Sequence, residues 1–209
     1  MRYPKINSLY KRDEATGKFI WGCYSDTVFD CIRYWRVEEK IDGMNIRIIM
    51  ERLEDGSIAG WFKGRNEDSV LPENLVKYLE TINKPQLVFD FMKAKGKVIL
   101  YGEGYGPKIQ SGGNYRDSIG FILFDVWGGH RWSTREEVKA IAELLGLPVP
   151  FEFGIMTLNE ICMLVKSKVN SPTAIRPMQF EGVIARAEPL LRNNYSGEPI
   201  MFKLKCKDM

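Results

Sequence analysis

Three features of the sequence predict an α+β fold of mainly antiparallel sheets with flanking helices. β-Branched and aromatic runs bounded by Gly-, Lys- and Asp-rich turns recur along most of the chain. Only a few stretches of helical period interrupt them, each with its own end signals. The two kinds of segment do not alternate regularly, which argues against strand–helix–strand units and a parallel sheet. With 209 residues, 44% of them hydrophobic, the chain suffices for one substantial core, so residues 1–209 are expected to form a single domain.

Residues 1–35 mix aromatic and basic side chains (Tyr3, Lys5, Tyr10, Lys11, Arg12, Phe19, Trp21) around a turn at Thr16-Gly17. They read as an irregular edge packed on the core, although bases interleaved with aromatics also suit a nucleic-acid strand. Two alternating runs, 32–38 and 45–53, then flank Lys40-Ile41-Asp42-Gly43. Asp-Gly between such runs is an ordinary hairpin signal with a surface lysine beside it. The other reading makes Lys40 a nucleophile, since an amine driven to its neutral form attacks phosphorus or carbonyl carbon.

Glu54-Asp55-Gly56-Ser57 is a further turn, and the apolar run 58–62 after it completes a hairpin. Pro72 ahead of Leu75, Tyr78, Leu79 and Ile82 predicts a short amphipathic helix with proline in its first turn. Residues 87–91, 98–101 and 120–126 read as core strands. Ser133-Thr134 before Glu136-Glu137, apolar residues at Val138, Ile141, Leu144 and Leu145, and a closing Gly146 mark both ends of a helix. Thr157 and Glu160 repeat the start signal for another, and 180–185 and 200–205 return to strand character.

The 30 basic and 27 acidic residues leave a net charge of +3, so a phosphate-binding surface would have to be local. Cys23, Cys31, Cys162 and Cys206 form no Cys-x-x-Cys pair and no signal-peptide pattern opens the chain. Free thiols in a reducing, cytoplasmic compartment are expected. No run approaches the roughly 20 apolar residues of a membrane span. The single histidine, His130, sits in a Gly-Gly-His-Arg-Trp turn, and with scattered cysteines it supplies neither a zinc centre nor a Ser-His-Asp triad.

Four short stretches carry further chemistry. Tyr101-Gly-Glu-Gly-Tyr-Gly106 sets Glu103 at a strand end in a Gly-rich turn, where a carboxylate can accept hydrogen bonds from sugar hydroxyls. Pro107 and the lack of an immediate helix exclude a dinucleotide fingerprint there. Of Phe121 and Phe124, at least one is a core ring, and the other is a candidate wall of a base pocket. Glu181 opens a strand with its oxygens available to a divalent cation. Lys203, Lys205 and Lys207 share one face of the last run, with Phe202, Leu204 and Cys206 on the other. That row reads as the solvated face of an edge strand or, beside a nucleotide, as a neutraliser of phosphate charge.

In order and character, Lys40-Ile-Asp42-Gly43-Met-Asn45, Gly64-Arg65, Gly102-Glu103-Gly104, Phe121-Ile-Leu-Phe124-Asp125, Glu181-Gly182-Val183-Ile184 and Lys203-Leu-Lys205 resemble the successive motifs of the covalent nucleotidyltransferases. That superfamily comprises ATP-dependent polynucleotide ligases and mRNA capping enzymes. Asn45 and the stretch 103–110 bring the chain nearest to the nick-sealing double-stranded RNA ligases, over Lys40 to Lys205.

The resemblance implies an ATP-grasp-like nucleotidyltransferase domain in which Lys40 attacks the α-phosphate of ATP, expels pyrophosphate and holds AMP as a phosphoramidate. AMP would then pass to an RNA 5′-phosphate, and a 3′-hydroxyl would displace it to seal the strand. It further implies that Asn45 and Arg65 contact the nucleotide's sugar and phosphates, with Glu39 and Ile41 also at the nucleotide. Glu103 would meet the ribose, Phe124 would stack on adenine, and Lys203 and Lys205 would contact the α-phosphate. Glu181 and Asp42 are the implied ligands of magnesium or manganese. RNA with 5′-phosphate and 3′-hydroxyl ends, or else DNA, is the expected partner of a monomeric protein without membrane attachment.

A scarcity of histidine suits phosphoryl transfer, which depends on positioning and charge neutralisation more than on acid–base groups. One departure stands out. Only 206–209 follow Lys205, which leaves no room for the oligonucleotide-binding (OB) barrel of DNA ligases and capping enzymes. A minimal ligase or the catalytic part of a longer chain is therefore expected. A minimal DNA ligase and a non-catalytic nucleic-acid-binding module of the same fold are the alternatives, the latter opposed by the retention of Lys40, Glu103, Glu181, Lys203 and Lys205.

Overall fold

The computed structural model describes residues 1–209, which fold into two compact units. Pro4–Ile41 and Phe151–Met209 make a terminal unit, and Met1–Tyr3 and Asp42–Pro150 make a central unit. In chain order the terminal unit begins with β1 (Asn7–Ser8), β2 (Tyr10–Arg12), β3 (Phe19–Tyr24), the short α1 (Val28–Cys31) and β4 (Tyr34–Glu39). The central unit follows with β5 (Met44–Arg52), β6 (Ile58–Gly64), α2 (Glu73–Ile82), α3 (Pro85–Met92), β7 (Lys97–Tyr105), β8 (Gly120–Trp127) and α4 (Arg135–Leu145). The chain returns to the terminal unit for β9 (Glu152–Met156), α5 (Leu158–Lys166), β10 (Gly182–Glu188) and β11 (Met201–Lys205).

The terminal unit holds a five-stranded sheet of order β1-β11-β10-β4-β9, antiparallel except where β1 runs parallel to β11. Alternation sends Trp35, Val37, Val183, Ala185, Phe202 and Leu204 into one core, where Ile161 and Val165 of α5 and Phe29 meet them. The opposite face carries the charge. Arg36 pairs with Glu152 and Glu188, and Arg186 reaches Glu38 at 3.4 Å.

The central unit is a four-stranded antiparallel sheet of order β6-β5-β7-β8. Ile46, Ile48, Val98, Leu100, Phe121 and Leu123 point to a core lined by Leu75, Leu79, Val88, Phe89, Val138 and Ile141 from α2, α3 and α4. The pleat therefore puts Asn45, Arg47, Tyr101 and Glu103 on the other face. Both predicted capping boxes form, Thr134 with Glu137 on α4 and Thr157 with Glu160 on α5, and Gly146 closes α4 at φ +67°. No helix is long and apolar enough to cross a membrane.

Several local expectations need correction. Residues 87–91 are not a strand but lie in α3, where Val88 and Phe89 are buried while Leu87 and Phe91 are exposed. Pro85 at the first helical position was the sign, because a short apolar run alone cannot separate a strand from a buried helix. The 1–35 region is more ordered than an irregular edge, with β2 and β3 paired and Leu9, Phe19, Phe29 and Ile32 buried. Asp42-Gly43 is not a hairpin turn, since β4 pairs with β9 and β10 whereas β5 pairs with β6 and β7. Nor is β11 an edge strand, because β1 pairs along its outer side.

Candidate active site

Lys40 lies one residue beyond the last residue of β4, where two backbone hydrogen bonds hold the chain. Its N–H donates to the carbonyl of Gly182 at 2.9 Å, and the N–H of Glu39 donates to Phe151 at 2.8 Å. From there Lys40 Nζ reaches Glu181 Oε2 at 2.6 Å, while Lys205 Nζ reaches Glu181 Oε1 at 2.5 Å. The three side chains are 22%, 17% and 23% exposed, so water screens them only in part. One carboxylate thus gathers two ammonium groups from strands distant in sequence, leaving an excess positive charge that suits an anionic ligand. Lys203 is on the same face of β11 as Lys205 by strand alternation.

Gly182 makes this geometry possible. Its φ is +147°, and a Cβ there would strike the carbonyl oxygen of Leu204 and lie 2.7 Å from Lys205 Cα. Gly182→Ala is expected to lower stability by about 1–3 kcal/mol, measured by urea unfolding, through backbone strain and overpacking. Beside it, Cys206 donates its N–H to the Glu181 carbonyl at 2.9 Å. Burial pushes the Cys206 thiol up, which keeps the sulfur neutral and poorly nucleophilic.

Glu39 is 1% exposed and points to the core face, opposite Val183. Thr173 donates both its hydroxyl, at 2.5 Å, and its N–H, at 3.3 Å, to Glu39 Oε2. Glu39 Oε1 is buried without a hydrogen-bond partner. Nothing in the local sequence around Thr173 marks this contact. Ile41 is likewise buried.

The central unit holds the other candidates. Asp42 N–H donates to the Tyr115 hydroxyl at 3.2 Å. Gly43 packs so closely on β7 that a Cβ would run into the Gly104 carbonyl and come within 2.9 Å of Glu103 Cγ. Asn45 is the cross-strand partner of Glu103, and its Oδ1 is buried without a partner. Glu103 lies inside β7, which continues to Tyr105, and not in the turn expected from its glycines. Arg65 is exposed immediately after β6.

The structure also separates the two phenylalanines. Phe121 is fully buried among the central core residues. Phe124 falls where the β7–β8 register slips, Tyr101 pairing with Asp125 and Gly102 with Leu123, and such a bulge re-aims a side chain. Its ring packs edge-on against Tyr3, 5.0 Å between centroids, and Tyr3 donates to Asp125 Oδ2 at 2.5 Å. Arg135 donates to the Phe124 carbonyl at 3.3 Å. Sequence reasoning missed Arg47, 1% exposed, which bonds Gly64, Met1 and Glu67. The bond from Arg47 holds the Glu67 carboxyl below its ordinary range.

Glu181 and Asp42 belong to different units, and no group of three or more His, Cys, Asp or Glu gathers to hold a metal. A lone carboxylate already bridged by lysines is not a metal cage. It offers few protein oxygens, so a cation there would have to complete its shell with water and substrate phosphate.

The RNA ligase family model matches residues 33–205. Among solved structures the chain is similar to a mutant of Naegleria gruberi RNA ligase with ATP and Mn, at 15% identity and a TM-score of 0.60, covering 99% of this chain and 64% of that one. It is also similar to an archaeal ATP-dependent RNA ligase, at 19% identity and a TM-score of 0.59, covering 98% of this chain and 48% of that one. A structure of Naegleria gruberi RNA ligase with PPi gives 18% identity and a TM-score of 0.59, covering 97% and 61%. The chain thus spans from about half to just under two thirds of these relatives' lengths. No curated protein matches the sequence.

Proposed function

The chain belongs to the RNA ligase family, and we propose that it activates RNA 5′-phosphate ends with ATP through adenylylation of Lys40 and joins them to 3′-hydroxyl ends. The observation that carries this reading is the single carboxylate of Glu181 held between Lys40 and Lys205. Similarity to ligase structures with ATP and Mn, and with PPi, supports the same nucleotide chemistry here.

In the first step Lys40 Nζ gives up a proton, for which Glu181 Oε2 is the acceptor within reach, and forms a bond to the α-phosphorus. The bond between that phosphorus and the bridging oxygen breaks, and pyrophosphate leaves with the electron pair. Lys205 and Lys203 offset the charge that develops on the α-phosphate. A 5′-phosphate oxygen then attacks the same phosphorus and releases Lys40. The 3′-hydroxyl finally attacks the activated 5′-phosphate, and AMP departs.

Magnesium or manganese, when bound, would supply charge neutralisation on the triphosphate, and Glu181 and Asp42 are each proposed to offer a carboxylate oxygen to a divalent cation. Glu103 is assigned to the ribose hydroxyls, Asn45 and Arg65 to sugar and phosphate, and Phe124 to the adenine face. Because the Glu39 carboxylate is committed to Thr173, the contacts of Glu39 and Ile41 with the nucleotide are assigned to their main chains.

Joining assays on nicked duplexes test the proposal. A nick with a 5′-phosphate and an RNA 3′-hydroxyl strand is expected to seal faster than one whose 3′-hydroxyl strand is DNA, since a 2′-hydroxyl distinguishes them. Faster sealing of the DNA nick would favour a minimal DNA ligase. Nucleotide-independent RNA binding, with neither joining nor label transfer to the protein, would identify a binding module.

A further inference from the structure

Glu39 is a costly residue for its position. It shares the core face of the terminal sheet with Val37 and Val183, where an apolar side chain would fit the pattern. Its carboxylate is 1% exposed, with both donors from Thr173 on Oε2 and none on Oε1. A half-satisfied carboxylate out of water opposes folding, and exchanging such groups for packed apolar ones is often stabilising. Stability therefore does not account for it.

Thr173 itself is well placed to act as an anchor. It lies between α5 and β10, on a loop whose arms are tied by Ser171 N–H to Met178 at 2.9 Å and Phe180 N–H to Val169 at 3.1 Å. Ala174 N–H donates to Ser171 Oγ at 3.1 Å and tightens the turn around Thr173. The loop is thus braced independently of Glu39.

What the anchor holds is the end of β4. Val183–Glu39 is the last register pair between β4 and β10, and Lys40 follows with its N–H to Gly182. Strand ends open more readily than strand centres, and a misplacement of about 1 Å can cost roughly 100-fold in rate. A side-chain tie at Glu39 restrains the residue before the nucleophile where the ladder ends.

We propose that Thr173 and the buried Glu39 carboxylate form a latch that positions Lys40 for attack on the nucleotide. The proposal rests on the reading of Lys40 as the adenylylated residue. The Thr173 hydroxyl and the Glu39 carboxylate are positioning groups, because they act through Lys40 without touching the nucleotide, which Glu39 meets through its main chain.

The test is single-turnover label transfer from α-labelled ATP to the full chain, run beside urea unfolding. Thr173→Val, which keeps the shape and the N–H but loses the hydroxyl, is expected to slow transfer at saturating ATP about tenfold, with little change in the ATP concentration at half-maximal rate. Thr173→Ser is expected to restore the rate. Glu39→Leu is expected to raise the urea midpoint while slowing transfer, the pattern of a group kept for function at the expense of stability.

Rate and midpoint falling together in Glu39→Leu, or an unchanged rate in both Thr173→Val and Glu39→Leu, would overturn the latch. If Thr173→Val fails to fold, the opposite signs expected for Glu39→Leu still decide the matter. A wild-type protein that takes no label would overturn the Lys40 reading itself, a failure distinguishable from the others because the variants play no part in it.

Discussion

Lys40→Ala is expected to reduce label transfer from α-labelled ATP to below detection, whereas the wild-type chain becomes labelled in the presence of magnesium. The substitution removes the nucleophile. Lys205 shares Glu181 with it but starts from another strand, so it cannot place its amine at the same point. Lys40→Arg is expected to be as inactive, because guanidinium keeps the charge and offers no free electron pair at neutral pH. Far-UV circular dichroism should be unchanged in both, since the Lys40 side chain takes no part in the apolar core. Labelling of Lys40→Ala at the wild-type level would exclude the proposed chemistry.

Glu181→Ala is expected to slow the same transfer by about 100- to 1,000-fold, the loss typical when a preorganised charged group is removed from a reacting centre. Two ammonium groups then face each other without the carboxylate between them, and the proton acceptor for Lys40 is gone. Glu181→Gln keeps the shape but not the charge, so a comparable loss there would assign the effect to charge instead of packing. Folding should suffer less, by about 1–2 kcal/mol, because the pairs are partly solvated and fall short of the 3–5 kcal/mol of a fully buried one. Single-turnover rates and urea midpoints measure the two effects separately.

Much of this site was legible because its residues carry unusual types at fixed order. Lysine two positions before Asp-Gly, Glu-Gly at the head of a strand, and alternating lysines on the last strand stood out against their ordinary readings, and Lys40 and Lys205 converge on Glu181. The alternation of β11 was equally readable, with Phe202, Leu204 and Cys206 buried as the period of two requires. The capping boxes were legible for a similar reason, since both partners lie three residues apart and need no tertiary context.

What escaped depends on contacts across the fold. Thr173 finds Glu39 only after the chain has folded, 134 positions apart. Arg47 was hidden by alternation, which places it on the non-core face of β5 without revealing that Gly64, Glu67 and Met1 bury it there. Which of Phe121 and Phe124 leaves the core turned on a one-residue register slip between β7 and β8 that no propensity encodes. Residues 87–91 misled because four apolar side chains in five positions fit either period, and tertiary packing of Val88 and Phe89 chose the helix.

Mapping the modified residue after incubation with ATP and magnesium tests the central claim most directly. Tandem mass spectrometry of the digested protein is expected to find one adenylate, attached to Lys40 through Nζ and labile to acid as a phosphoramidate should be. An adenylate on a different side chain, or pyrophosphate released with no adduct on the protein, would contradict the assignment of Lys40 as the nucleophile.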